Sequence, residues 1–145
     1  MTHEVPDLLA GRLGYLLKHA QQQLMLAAGP ALAPFGIDGR ELTVLTVLAA
    51  VPLSQQEAAD QLGVDRTTMV ALVDALEGKG LVGRHRCPED RRKNIVELTA
   101  AGENCLRLAS RARDKVEREF LAPLGDELAG HFLAALRTLA VSPPR

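Results

Sequence analysis

Apolar residues recur at helical spacing along most of this chain, and give way to short extended runs in one place only. Leu9, Leu13, Leu16, Ala20, Leu24 and Ala27 follow steps of four and three, the stripe of one long amphipathic helix. Gly29, Pro30, Pro34 and Gly36 predict its end. Asp38 caps a second helix running through Glu41 to Ala50 and closed by Pro52. Leu42, Val44, Leu45, Val47 and Leu48 make that helix nearly apolar all round, so it should lie buried. Ser54 and Glu57 form the S-x-x-E signature of a capping box, which starts a third helix ending at Leu62 and Gly63. Asp65 caps a fourth, continuing to Glu77, with Met69, Leu72, Val73 and Leu76 as its inward stripe and Gly78 and Gly80 as its stop.

Leu81–Arg86 and Ile95–Leu98 then read as two strands of a hairpin whose long tip, Cys87 to Asn94, is polar and charged. Thr99 caps a fifth helix with Leu106, Ala109, Ala112, Val116 and Phe120 on its apolar side, interrupted by Pro123 and Gly125. A sixth carries Leu124, Leu128, Phe132, Ala135, Leu136 and Leu139, and the residues from Val141 onward form a frayed tail. The fold class is mainly α with a small β-hairpin wing.

Composition agrees with that picture. Hydrophobic residues are 47% of the 145 and aromatics only 3%, so the core is built from Leu, Val and Ala. The net charge of −1 argues against general nucleic-acid affinity. Its distribution argues otherwise. Between Lys79 and Lys93 stand Lys79, Arg84, Arg86, Arg91, Arg92 and Lys93 against Glu89 and Asp90, a local +4 that leaves −5 on the rest of the chain. That segment is the candidate phosphate-facing patch.

A helix, a short turn at Gly63, a second helix and then a charged hairpin make a helix-turn-helix with a wing. A helix fits the major groove and reads base edges from its first turns. Asp65 leaves Arg66, Thr67 and Thr68 at the exposed start of such a helix. The wing brings Arg91, Arg92 and Lys93 to the neighbouring backbone or to the minor groove, where a narrow groove favours arginine. Residues from about Ser54 to Leu98 are therefore the expected DNA reader.

The stretch "LSQQEAADQLGVDRTTMVALVDALEGKGLVGRHRCPEDRRKNIVELTAAG", from Leu53 to Gly102, resembles the MarR family of bacterial transcriptional regulators. "PEDRRKNIVELTAAG" and "LEGKGLV" are its most specific pieces. The resemblance implies a triangular homodimer, with residues 1–36 and 99–145 as the helical dimerisation region and 37–98 as the winged helix-turn-helix. It also implies a repressor on pseudo-palindromic promoter sites that responds to small aromatic acids, phenols or oxidants. Carried over by position, Arg66, Thr67, Val70, Ala71 and Asp74 face the major groove and Thr68 a phosphate. Arg86, Arg91, Arg92 and Lys93 complete the DNA-contact set. Asp90 and Arg92 match the family's Asp-x-Arg, implying a salt bridge that shapes the wing tip and aims an arginine into the minor groove, with Arg91 as a second candidate for that insertion. The chain departs from the family at Val70, Ala71 and Ala75, where serine or arginine is common. The recognition helix should then rely on Arg66, Thr67 and apolar contact with thymine methyl groups, and the wing should supply most of the charge.

Arg12, Tyr15, Lys18 and His19 lie on the first helix, which in the family helps line an effector pocket. A cation and a phenol there could hold a carboxylate and a ring, and solvent exposure or inter-subunit packing is the competing reading. His3, His19, His85 and His131 have no metal-ligand spacing, and no cofactor is expected. Cys87 and Cys105 form no disulfide framework, and neither sits near the amino terminus, where oxidant-sensing members keep a reactive cysteine. No nucleophile–base pair, phosphate-cradling loop or paired carboxylates point to an enzyme. The most apolar run, Val44–Leu53, is about half of the ~20 residues a membrane span needs, and without a signal layout the expected location is the cytoplasm. Two rivals stay open: a winged helix used only for protein interaction, and a DNA-binding regulator that answers to no ligand.

Overall fold

The computed structural model describes residues 7–141, so His3 and the expected tail beyond Val141 lie outside it. Its elements run α1 (Asp7–Ala10), α2 (Leu13–Leu32), a 3-10 turn (Ala33–Phe35), α3 (Gly39–Ala50), β1 (Leu53–Ser54), α4 (Gln55–Leu62), α5 (Arg66–Gly78), β2 (Val82–Arg86), β3 (Asn94–Leu98), α6 (Ala100–Leu121), a second 3-10 turn (Ala122–Leu124) and α7 (Asp126–Val141). They group into two compact units, residues 28–113 and the terminal segments 1–27 with 114–145.

The larger unit holds nearly all of the core. Leu42, Leu45 and Leu48 of α3, Met69, Val73 and Leu76 of α5, and Val82 and Val96 of the sheet are all buried. α3 is sealed at its start by a full capping box: Asp38 Oδ1 accepts from Glu41 N (2.9 Å), and Glu41 Oε1 accepts from Asp38 N (3.1 Å). Sequence reading gave Asp38 as a lone cap. Glu41 is itself only 5% exposed. Its second oxygen receives Lys79 Nζ at 2.6 Å, which ties the start of α3 to the residue that ends α5. A buried carboxylate needs such a partner.

Ser54 and Glu57 form the predicted box at α4, and Gly63, in the left-handed region at φ 64°, ends that helix. Gly80 (φ 74°) makes the turn from α5 into β2.

Three features differ from the sequence reading. The long first helix does not stop at Gly29–Pro30. It passes through Pro30 and ends at Leu32. Proline forfeits one ladder bond, but the side chain two residues on, Leu32, is buried in the core, and the left-handed turn comes only at Gly36 (φ 70°). A short separate helix, α1, precedes it and includes Leu9. The hairpin also gains a third strand. β1 pairs antiparallel with β3, Leu53 opposite Val96 and Ser54 opposite Ile95, so the order is β1-β3-β2.

One joint fastens the hairpin to α6. Thr99 Oγ1 donates to Gly80 O (2.6 Å) and accepts from Gly102 N (3.0 Å), while Thr99 N donates to Leu81 O (3.1 Å). A Cβ at Gly102 would lie 2.0 Å from that same Leu81 oxygen, so only glycine fits.

The terminal unit looks different. Leu8, Leu13, Leu16, Met25, Leu26, Leu128 and Leu139 are all exposed, and Val116 is the one apolar residue buried there among those described.

Candidate nucleic-acid interface

The recognition helix α5 divides its faces cleanly. Met69, Val73 and Leu76 point into the core, with Leu72 partly buried, while Ala71, Asp74 and Ala75 are exposed. Asp65 caps it, accepting from Thr68 N at 2.6 Å. That backbone bond, helped by the Thr68 hydroxyl, holds the Asp65 carboxyl below its ordinary value. The cap leaves Arg66 and Thr67 exposed at the helix start, with Thr68 and Val70 half-buried behind them.

Asp74 is not a free carboxylate. Arg84 of β2 binds it through Nη2, and the same guanidinium brings Nε within 3.7 Å of Glu77 Oε2. One cation thus offsets two carboxylates on the outer half of α5. Sequence reading counted Arg84 among the basic residues without giving it a role. The signal available was its place in a strand running directly after α5, but nothing in the spacing named its partners. On the other face of the hairpin, His85 Nδ1 and Glu97 Oε1 lie 3.2 Å apart.

The wing tip closes on its own backbone. Cys87 N donates to Lys93 O (2.9 Å) and Lys93 N to Asp90 O (3.0 Å). Asp90 Oδ1 accepts from Arg92 N at 3.0 Å. Asp90 and Arg92 therefore meet side chain to main chain, where the resemblance implied an ion pair of side chains, and the Arg92 guanidinium is left exposed beside Arg91 and Lys93. Arg86, at the end of β2 opposite Asn94, is exposed as well.

Arg66, Arg92 and Lys93 come together. They line one notch with Ser54, Gln55, Gln56 and Asn94. The two-residue strand β1 makes this possible, because its pairing sets Ser54, and so the first turn of α4, beside the stem of the wing. The sequence marks Ser54 to Gln56 as a helix start within the expected DNA reader, and nothing in its spacing pairs them with the wing.

The residues expected to meet an effector fall on α2 and the residue before it. Tyr15 and His19 face each other with ring centroids 4.1 Å apart, Tyr15 half-buried, while Arg12 and Lys18 are exposed. A separate cleft of about 340 Å³ lies within residues 28–113, between Leu48, Ala49, Pro52, Leu98 and Leu106, with Arg107 at its side. None of the four expected residues lines it.

Cys105 packs near the Phe35 carbonyl (3.9 Å), and burial pushes its thiol up, the behaviour of a small core residue. Cys87 is half-buried beside the wing. Among the described residues no cluster of three or more His, Cys, Asp or Glu could hold a metal, and no helix is long and apolar enough to cross a membrane.

A model described as the MarR family matches residues 35–93. The chain is 32% identical over 133 residues to a candidate transcriptional regulatory protein for the hcr operon of Thauera aromatica, covering 90% of this chain and 80% of that one. Among solved structures it is similar to the transcriptional repressor CouR bound to a 23-mer DNA duplex, with a TM-score of 0.89 and 35% identity over 96% of this chain and 99% of that one. It is also similar to CouR from Rhodococcus jostii RHA1 bound to p-coumaroyl-CoA, with a TM-score of 0.81 and 27% identity over 94% and 97%.

Proposed function

We propose, since this chain belongs to the MarR family, that it is a sequence-specific DNA-binding repressor working in the cytoplasm as a homodimer and released by a small aromatic ligand. One observation carries the reading. In a chain of net charge −1, the exposed Arg66 of the recognition helix and the exposed Arg92 and Lys93 of the wing lie on one surface. Arg66, Thr67, Val70 and Ala71 read base edges, with the last two against thymine methyl groups. Asp74 stays in contact range of the groove with its charge offset by Arg84. Thr68, Arg86, Arg91, Arg92 and Lys93 supply the contacts to the backbone and the neighbouring minor groove.

Two copies present two such heads about 34–36 Å apart, one helical turn or a multiple of it. The exposed leucines of residues 1–27 and 114–145 supply the apolar surface that joins the copies. Release follows if an aromatic acid, held by Arg12, Tyr15, Lys18 and His19, prefers a dimer whose heads are mis-spaced. Its differential affinity then shifts the population away from DNA. The p-coumaroyl-CoA bound by the similar CouR structure carries a phenolic acyl group as a thioester, which supports the aromatic part of that ligand class.

The test is selection from a random duplex pool by the full-length chain, followed by a gel shift with and without aromatic acids. A two-fold-symmetric site bound at nanomolar protein and lost on adding a ligand is the expected result. No duplex retained at low salt by a folded dimer would leave the winged helix as a protein-interaction module.

A further inference from the structure

Left to its own residues, α5 is acidic. Arg66 is its one cation and Asp74 and Glu77 are its acids, so the helix carries −1. It becomes neutral only through Arg84, which belongs to β2. Strand geometry decides where that arginine goes. Alternate residues of a strand share a face, so Arg84 lies on the side of the buried Val82, while His85 on the opposite side meets Glu97. The Arg84 side chain is 26% exposed, against 57% for Asp74. It is directed at α5, unlike the exposed Arg86, Arg91, Arg92 and Lys93 further along the hairpin. Its hold on the two acids is unequal. Nη2 donates to Asp74 Oδ1, whereas Nε lies 3.7 Å from Glu77 Oε2 and is buried without a hydrogen-bond partner. Asp74 is held, and Glu77 is only screened.

Asp74 is the one acid among the residues of α5 placed toward the groove. A free aspartate there would accept from the exocyclic amine of cytosine and would repel phosphates. We propose that Arg84 is a specificity-determining residue that acts without touching DNA: it holds the Asp74 carboxylate against β2 and so silences a cytosine-reading position in the recognition helix. The proposal rests on the DNA-binding reading above. It gives Arg84 a role different in kind from that of the outward cations, since its effect on recognition passes entirely through Asp74.

The experiment selects duplexes from a random pool with four full-length chains: native, Arg84→Met, Asp74→Ala and the double variant. Anisotropy across a salt series then measures each chain on the native site and on its single-base variants, and urea unfolding reports whether each fold is kept. The pair is largely solvated on the Asp74 side and adds little to stability, so Arg84→Met should fold. It should bind the native site more weakly and gain a cytosine preference of about 5- to 100-fold at one position of each half-site. Adding Asp74→Ala to Arg84→Met should abolish that preference and recover the lost affinity with the arginine still missing. A purely structural arginine gives no such recovery. Asp74→Ala alone removes an acid that faces the duplex and should tighten every sequence alike.

Arg84→Met that folds, binds and gains no cytosine preference overturns the proposal. So does a loss uniform over all sequences, with the slope of log affinity against log salt lowered by about 0.9 and no recovery in the double variant, because Arg84 is then itself a phosphate contact. A loss confined to one base in Asp74→Ala also overturns it, since the acid then reads DNA while held. If Arg84→Met does not fold, this last arm decides alone, and uniform tightening supports the proposal. A folded native chain that holds no duplex sinks the DNA reading, and the proposal with it.

Discussion

Residues 28–113 and the terminal segments bury their apolar side chains very differently. Every buried apolar residue of the described chain except Val116 falls between Leu32 and Ala109. Every exposed large apolar residue except Val51 falls in residues 1–27 or 114–145. The first unit is completed by its own side chains. The second has the leucines for a core and does not enclose them, which is the surface the proposed homodimer would use. A pattern of helical leucines thus has two outcomes in one sequence: in α3 it builds a core, and in α2 and α7 it leaves an exposed apolar stripe.

The strongest way to break this comparison is to charge the terminal stripe. Leu13→Glu with Leu128→Glu removes two side chains now 65% and 55% exposed. Each is worth about 1.5–3 kcal/mol once buried. Both copies carry the pair, so sedimentation equilibrium should show the dimer weakened by about 6–12 kcal/mol while residues 28–113 keep their own cooperative melting. A dimer unchanged at micromolar protein would put the joining surface elsewhere.

Leu45→Ala acts on the other side of the comparison. It empties a fully buried site and should cost residues 28–113 about 2–5 kcal/mol in urea unfolding. Gly102→Ala comes next, at about 1–3 kcal/mol, because its methyl must displace the Leu81 carbonyl. A variant as stable as the native chain would mean that the joint at Thr99 yields easily. Ser54→Ala removes one half of a capping box and should cost about 1 kcal/mol, read as faster amide exchange in α4.

The smallest effect is acid loosening of the recognition helix. Asp65 has a lowered pKa in the folded chain. Its contribution is therefore present above the unfolded value, about 3.9, and is lost as pH falls through the lower folded one. Exchange at Thr68 N between pH 5 and 2 should quicken, and Asp65→Asn should flatten that profile.

The helices were legible because each carries a stripe and a stop. Met69, Val73 and Leu76 named the inner face of α5, and Asp65, Ser54 and Thr99 named three helix starts. Pro30 misled because proline weighs against a helix locally, whereas the burial of Leu32 is a tertiary gain that local sequence does not display. β1 could not be read, since two residues have no period. The Arg84 clamp and the convergence of Arg66 with Arg92 depend on strand register, which is settled by pairing Ser54 with Ile95. Charge content made the wing conspicuous.

The split of α5 into an inner face that packs and an outer face where Ala71 and Ala75 lie exposed has an evolutionary consequence. Ala71 and Ala75 are exposed and carry no part of the core. If α5 reads bases as proposed, substitutions there would change which bases are favoured with little cost in folding, whereas a change at Met69 or Val73 would be purged whatever it did for recognition. A gene duplicate of this protein could therefore drift to a new operator by single steps, each passing through a folded intermediate.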